Sequence, residues 1–201
     1  MAARSREIEI KLAIGDPRRA RAGLLRAGFT VLRPRSLERN VVFDTAALGL
    51  RQQGRLLRLR QYGADFILTY KGSPRFGRHK TREELEIAVA DPKVFQQILS
   101  KLGFQPVFQY EKYRTLFSDT RGIVALDETP IGDFLEIEGA PRWIDRTAER
   151  LGFDESDFIL DSYGRLYLEY CERRGTTPGH MLFPQRTMSL RRMRKPHLAL
   201  T

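Results

Sequence analysis

Three short stretches place carboxylates two residues apart: Glu7-Ile8-Glu9-Ile10-Lys11, Glu84-Leu85-Glu86-Ile87 and Glu136-Ile137-Glu138. Side chains two apart in a β-strand share a face. Each stretch therefore predicts a strand with a charged side and an apolar, β-branched side. Bases follow the same rule. Arg58 and Arg60 share a face, as do Lys112 and Arg114, while Lys71 lies on the face of Ile67 and Thr69, and Asp127 on that of Ile123 and Ala125. One charged strand face is ordinarily a solvated face. Repetition over seven predicted strands, with Ile, Leu, Phe and Val opposite, instead predicts charged faces turned toward each other.

Such an interior is expensive to bury without partners, and a purely structural one would be better served by Leu and Val. Its composition suits an occupant. Lys11, Arg58, Arg60, Lys71, Lys112 and Arg114 can hold a polyphosphate, arginine being suited to bidentate oxygen contacts. The clustered carboxylates can hold a hard cation, Mg²⁺ or Mn²⁺. A metal bridging phosphate and carboxylate reconciles the two signs. Arg82 shares the parity of Glu84, as a further phosphate contact or as a neutralising neighbour.

The positioning elements recur. Asp16-Pro17 opens a helix that stops at Ala27-Gly28-Phe29, Asp91-Pro92 opens a second that stops at Leu102-Gly103-Phe104, and Pro141 opens a third that stops at Leu151-Gly152-Phe153. Asp caps the free N–H groups, proline suits the first turn, and glycine ends it. Each follows a Glu-x-Glu strand, which predicts a quasi-symmetric architecture. Between them, strands are expected up to Val41-Val42-Phe43-Asp44, over 55–62 and 65–72 as a hairpin, over 83–89, over 110–117 and over 122–128. Residues 45–54 are expected to be a turn. The basic loop 73–81 is either a rim over an anionic ligand or a plain solvated turn. A last helix is expected near 165–171, and Phe158 and Tyr163 either cover one mouth of the interior or pack in the core. The three helices can cover the apolar side of the sheet.

The 201 residues suffice for a sizeable core, and the 41% hydrophobic content suits a globular protein. No apolar run approaches the roughly 20 residues of a membrane span. The lone Cys171 forms no internal disulfide, and with no signal peptide expected, the predicted location is the cytoplasm. The net charge of +10 is uneven: from Arg173 on there are seven Lys/Arg and no acid. Residues 1–172 are expected to form the folded domain. Residues 173–201 are expected to be a basic, disordered tail able to touch a polyanion. No Ser-His-Asp set or Walker-type loop is present: His79 lies in a loop, and His180 and His197 in the tail.

In order, Glu7-x-Glu9-x-Lys11, Leu57-Arg58-Leu59-Arg60, Thr69-Tyr70-Lys71-Gly72, Arg82-Glu83-Glu84-Leu85-Glu86, Glu111-Lys112-Tyr113-Arg114, Leu126-Asp127 and Gly132-Asp133-Phe134-Leu135-Glu136-Ile137-Glu138-Gly139 resemble the signature of the CYTH, or triphosphate tunnel metalloenzyme, superfamily. The resemblance covers about residues 5–170. It implies an α+β fold, an eight-stranded antiparallel barrel with helices outside, and divalent-metal-dependent chemistry on a triphosphate such as ATP or tripolyphosphate. Carried over, it makes Lys11, Arg58, Arg60, Lys71, Arg82, Lys112 and Arg114 phosphate contacts. Glu7, Glu9, Glu136 and Glu138 become metal ligands, directly or through water, and Lys11, Glu84, Glu86 and Asp127 the catalytic wall. It also implies a homodimer. The stretch 126–136 is most similar to the class IV adenylate cyclase branch. Where thiamine triphosphatases carry a Tyr before the aromatic-Asp pair, this chain has Val42 before Phe43-Asp44, which argues against that substrate. Cyclisation of ATP and triphosphate hydrolysis stay open, with a non-catalytic polyphosphate- or RNA-binding module as the alternative.

Overall fold

The computed structural model describes residues 6–184. The elements in order are β1 (Glu7–Ile14), α1 (Pro17–Arg26), β2 (Thr30–Thr45), α2 (Gly49–Gln52), β3 (Leu56–Tyr62), β4 (Asp65–Lys71), β5 (Lys80–Arg82), β6 (Glu84–Ala88), α3 (Pro92–Lys101), β7 (Phe104–Ser118), β8 (Gly122–Thr129), β9 (Gly132–Gly139), α4 (Pro141–Arg150) and α5 (Tyr163–Arg174). The repeated helix signals act as their chemistry requires. Asp16 accepts the Arg18 N–H, and Asp91 accepts those of Lys93 and Val94. Gly28, Gly103 and Gly152, one after each helix, take φ values of 83°, 85° and 87°, a conformation costly for any residue with a Cβ. The segment 45–54, expected to be a turn, contains α2. Asp44 organises it by accepting the backbone N–H groups of Thr45, Leu50 and Arg51.

All strands form one antiparallel sheet in the order β5-β1-β9-β8-β7-β2-β3-β4-β6. It has nine strands, where eight are expected from the resemblance. The strand predicted over 83–89 is β6, but a further short strand, β5, precedes it where the end of the loop 73–81 is expected. The two part at Glu83: β5 pairs with β1 and β6 with β4, at opposite ends of the sheet. Glu83 pins the break, its carbonyl accepting the Gly72 N–H at 3.0 Å. Arg82 and Glu84 thus stand on different strands. The sheet curls until β1 and β4, each second from an end, touch through Lys71 Nζ and Glu7 Oε1 at 2.6 Å. No backbone ladder joins β5 to β6 among the described residues, so a barrel closed by hydrogen bonds is not formed.

Helices cover the apolar outer face. Ile10, Leu12, Val124, Leu135 and Ile137 pack with Leu24 of α1 and with Trp143, Ile144 and Ala148 of α4. Each fully buried aliphatic contributes about 1.5–3 kcal/mol. Phe43 and Leu59 pack under Leu99 of α3. Trp143 lies on a glycine pair, Gly122 and Gly139, which face each other in the β8–β9 register. A Cβ at Gly122 would meet the indole at 2.3 Å. The covering stops short of β6, where Leu85 and Ile87 remain exposed.

The expected boundary at Arg173 falls inside α5, which ends at Arg174 with Gly175 as its cap. Beyond it the chain runs along the free edge of β7. The Met181 N–H donates to the Gln109 carbonyl and its carbonyl accepts the Glu111 N–H, while its side chain is buried beside Tyr110 and Tyr163. The rest of the predicted tail, 185–201, including His197, lies outside the described residues. No helix among the described residues is long and apolar enough to cross a membrane.

Candidate functional site

Register places every predicted site residue on the inner face. Across β1, β9 and β8, Glu9 stands opposite Glu138 and Lys11 opposite Glu136, with Asp127 one step further. Across β7, β2 and β3, Arg114 stands opposite Asp127, Lys112 opposite Glu38, and Arg58 opposite Val42. Thr69 and Lys71 of β4 face Glu86 and Glu84 of β6. Glu7 and Glu9 face Arg82 and Lys80 of β5.

Two charged inward residues escape the sequence reading. The sequence places Lys80 in the loop 73–81, but β5 begins with it. Glu38 lies in a stretch where Arg33, Arg35 and Arg39 obscure the parity. The alternation Glu38-x-Asn40-x-Val42, traced back from the Val42 opposite Arg58, is the signal that finds it.

The interior is an ion-pair network. Lys11 bridges Glu9 (3.3 Å) and Glu136 (3.2 Å). Lys71 bridges Glu7 (2.6 Å) and Glu84 (3.1 Å), and Arg82 reaches Glu7 at 2.8 Å. Asp127, with no exposed surface, accepts from Lys112 (2.9 Å), Arg114 (2.5 Å) and the Tyr163 hydroxyl (2.7 Å), and Arg114 also binds Glu136. Arg60 binds Glu86, the most exposed member at 37%. Glu138 sits on the same face opposite Glu9.

Charges follow these partners. Burial raises carboxyl pKa values, yet Glu9 and Glu136 are held well below the ordinary range because Lys11 and, for Glu136, Lys112 and Arg114 outweigh it. Glu38 is likewise drawn down to about 2 by Lys112 and Arg114. Glu84 goes the other way, to about 7: burial and neighbouring Glu7 and Glu86 overcome Lys71. Tyr163 is raised well above its ordinary value by burial and by Asp127. The ring of Tyr163 lies 4.7 Å from the Lys112 ammonium and 5.4 Å from that of Lys11, and it packs against Phe134, Tyr110 and Met181. It therefore both closes the interior at its apolar end and belongs to a packed cluster. Phe158 instead packs with the cluster beneath α1 and α4.

Among the described residues, three buried side-chain polar atoms have no partner: the Nε–H groups of Arg58 and Arg60, and Oδ1 of Asn40. Two orphaned guanidinium donors in one charged interior fit an anionic oxygen. The carboxylates have the hard-oxygen chemistry for Mg²⁺ or Mn²⁺ and are mostly held ionised. They are interleaved with ammonium groups, and no three ligating groups converge among the described residues. His79 serves elsewhere, its Nε2 lying 2.7 Å from Asp145 of α4, and His180 Nδ1 accepts the Gln109 N–H.

The family model described as the CYTH domain matches residues 5–163. A Methanocaldococcus jannaschii protein named "putative adenylate cyclase" is 31% identical over 133 residues, 66% of this chain and 75% of that protein. Among solved structures, a Vibrio parahaemolyticus protein of the same description superposes with a TM-score of 0.72 at 20% identity, covering 81% of this chain and 97% of that one. A Hippeastrum protein described as a "putative adenylyl cyclase" with a dominant triphosphatase activity gives 0.60 at 23%, covering 86% and 97%. At these identities the two structures show the fold.

Proposed function

The chain belongs to the CYTH domain family, and from that premise we propose that it is an enzyme that hydrolyses a small-molecule triphosphate in the charged interior. The observation that carries the reading is the pair of orphaned guanidinium N–H groups on Arg58 and Arg60, inside a face that also presents Lys11, Lys71, Arg82, Lys112 and Arg114. The Hippeastrum protein's described activity supports hydrolysis over other outcomes.

The bases bind and orient the phosphates. Arg58 and Arg60 have donors ready, while the lysines and Arg114 exchange a carboxylate oxygen for a phosphate oxygen. The burial of Lys11, Lys112 and Asp127 excludes bulk water from the deep end, which strengthens each contact. Positioning and charge neutralisation of this kind carry most phosphoryl-transfer catalysis. Glu84, with its pKa near 7, is assigned the proton of the attacking water, because such a carboxyl both accepts and releases a proton near neutrality. Mg²⁺ or Mn²⁺ would be held by Glu9 and Glu136, with Glu7 and Glu138 beside them, and would supply positive charge to the phosphate oxygens. Cyclisation of ATP is the second reading, favoured by the name of the 31% identical relative. There the attacking group is the ribose 3′-hydroxyl and pyrophosphate leaves.

The test is to incubate the protein with tripolyphosphate, ATP or thiamine triphosphate, each with Mg²⁺ or Mn²⁺, and to resolve the products. Orthophosphate from tripolyphosphate, lost in Lys11→Ala and Glu136→Ala variants that still fold, is the expected result. Cyclic AMP with pyrophosphate establishes the second reading. Tight triphosphate binding without product makes the chain a binding module, and no binding at all overturns the assignment of the interior.

A further inference from the structure

Four lysines are buried on the inner face, and three of them are held from more than one side. Lys11 bridges Glu9 and Glu136, Lys71 bridges Glu7 and Glu84, and Lys112 reaches Asp127, Glu38 and Glu136. Lys80 differs. It is 3% exposed, and among the described residues its one acceptor is Glu9 Oε1, at 2.6 Å. That oxygen is shared with Lys11 at 3.3 Å and Arg82 at 3.6 Å. An ammonium has three N–H donors. Among the described residues, Lys80 therefore has two N–H donors without an acceptor while being almost fully buried.

Its placement is fixed from outside. The two residues before it are tied to α4 and the turn that follows: His79 to Asp145, and Arg78 to Asp145 and Glu155. Lys80 then stands directly opposite Glu9 on the three-residue edge strand β5. An amine this buried, this rigidly delivered and this poorly compensated is costly for a merely structural role.

We propose that Lys80 is a substrate-contacting residue, which gives its two spare donors to the triphosphate and relaxes its hold on Glu9 as the triphosphate enters. The proposal rests on the triphosphate reading of the interior and adds to it a base delivered by the edge strand.

The experiment is calorimetric titration of the full chain with tripolyphosphate, with EDTA and again with Mg²⁺. Lys80→Met is expected to weaken affinity by about 10- to 100-fold, the loss of one charge-assisted contact. Lys80→Arg is expected to stay within a few-fold. Lys80→Gln stands in if the methionine variant does not fold. The decisive arm repeats Lys80→Met in a Glu9→Gln background. A substrate contact keeps its effect there. If Lys80 only neutralises Glu9, the effect disappears, and the proposal is overturned. It is equally overturned if Lys80→Met binds within about two-fold of wild type. A wild-type chain that binds no tripolyphosphate overturns the reading of the interior itself, and this proposal with it.

Discussion

Replacing Glu38 by glutamine isolates the contribution of one buried charge. Glu38 is 1% exposed, lies 3.6 Å from the Lys112 ammonium and 3.8 Å from the Arg114 guanidinium, and accepts the Asn40 amide at 3.0 Å. Burial alone would raise its pKa, but the two bases reverse the effect and hold it at about 2 against an ordinary 4.5. A carboxyl with a depressed folded pKa contributes stability that is present above the unfolded value and lost as pH falls through the folded one. The gap corresponds to about 3 kcal/mol above pH 5, falling by roughly half at pH 3. In thermal unfolding at pH 7 that amounts to about 6–12 °C for a domain of this size. Urea unfolding of wild type and Glu38→Gln at pH 7 and pH 3 measures both values. A difference that is the same at both pH values, or below about 0.5 kcal/mol at pH 7, refutes the account of the network given above.

Two further predictions concern the frame. Truncation after Pro184 is expected to leave the midpoint of urea unfolding unchanged, whereas truncation after Arg174 removes the buried Met181 and its edge pairing with β7. The shorter chain is expected to lose about 2–5 kcal/mol. Gly122→Ala drives a methyl group into the Trp143 ring, and is expected to cost more than about 3 kcal/mol or to abolish soluble expression. Gly179→Ala, with nothing within 4 Å, is the matched control.

Much of the site was legible because a period of two is unambiguous when charge and aliphatic residues alternate, as in Glu7 to Leu12. Three helices were legible because Asp-Pro opens α1 and α3, Pro141 opens α4, and Gly-Phe follows each of them. What was lost has physical reasons. Arg82, Glu84 and Glu86 keep one parity through Glu83, so nothing in the sequence signals a break there. Only the pairing of β5 with β1 and of β6 with β4 shows that they belong to opposite ends of the sheet. Lys80 was hidden by the basic loop before it, and Glu38 by the arginines around it. Met181 stands in a proline-containing basic stretch whose composition resembles disorder, yet one buried side chain and two backbone bonds order it. The Asp44 side chain caps a helix too short for any periodicity to announce.

The sheet order also sets a timetable. β1 lies between β5 and β9, with Glu7 paired to Arg82 and Glu9 to Glu138. Of the strands of this sheet β1 is made earliest. The short β5 can pair with it about seventy residues on, but its long ladder forms only after β9, more than a hundred residues later. Until then its apolar side, Ile8, Ile10 and Leu12, can meet Leu24 of α1 but has neither the β9 ladder nor α4 to complete its burial. Non-local pairing of this kind slows folding, and it leaves unpaired strand edges that other chains can capture. The alternating glutamates of β1 then have a second use: during the wait they give the unplaced strand a charged side, which discourages association with a second nascent chain.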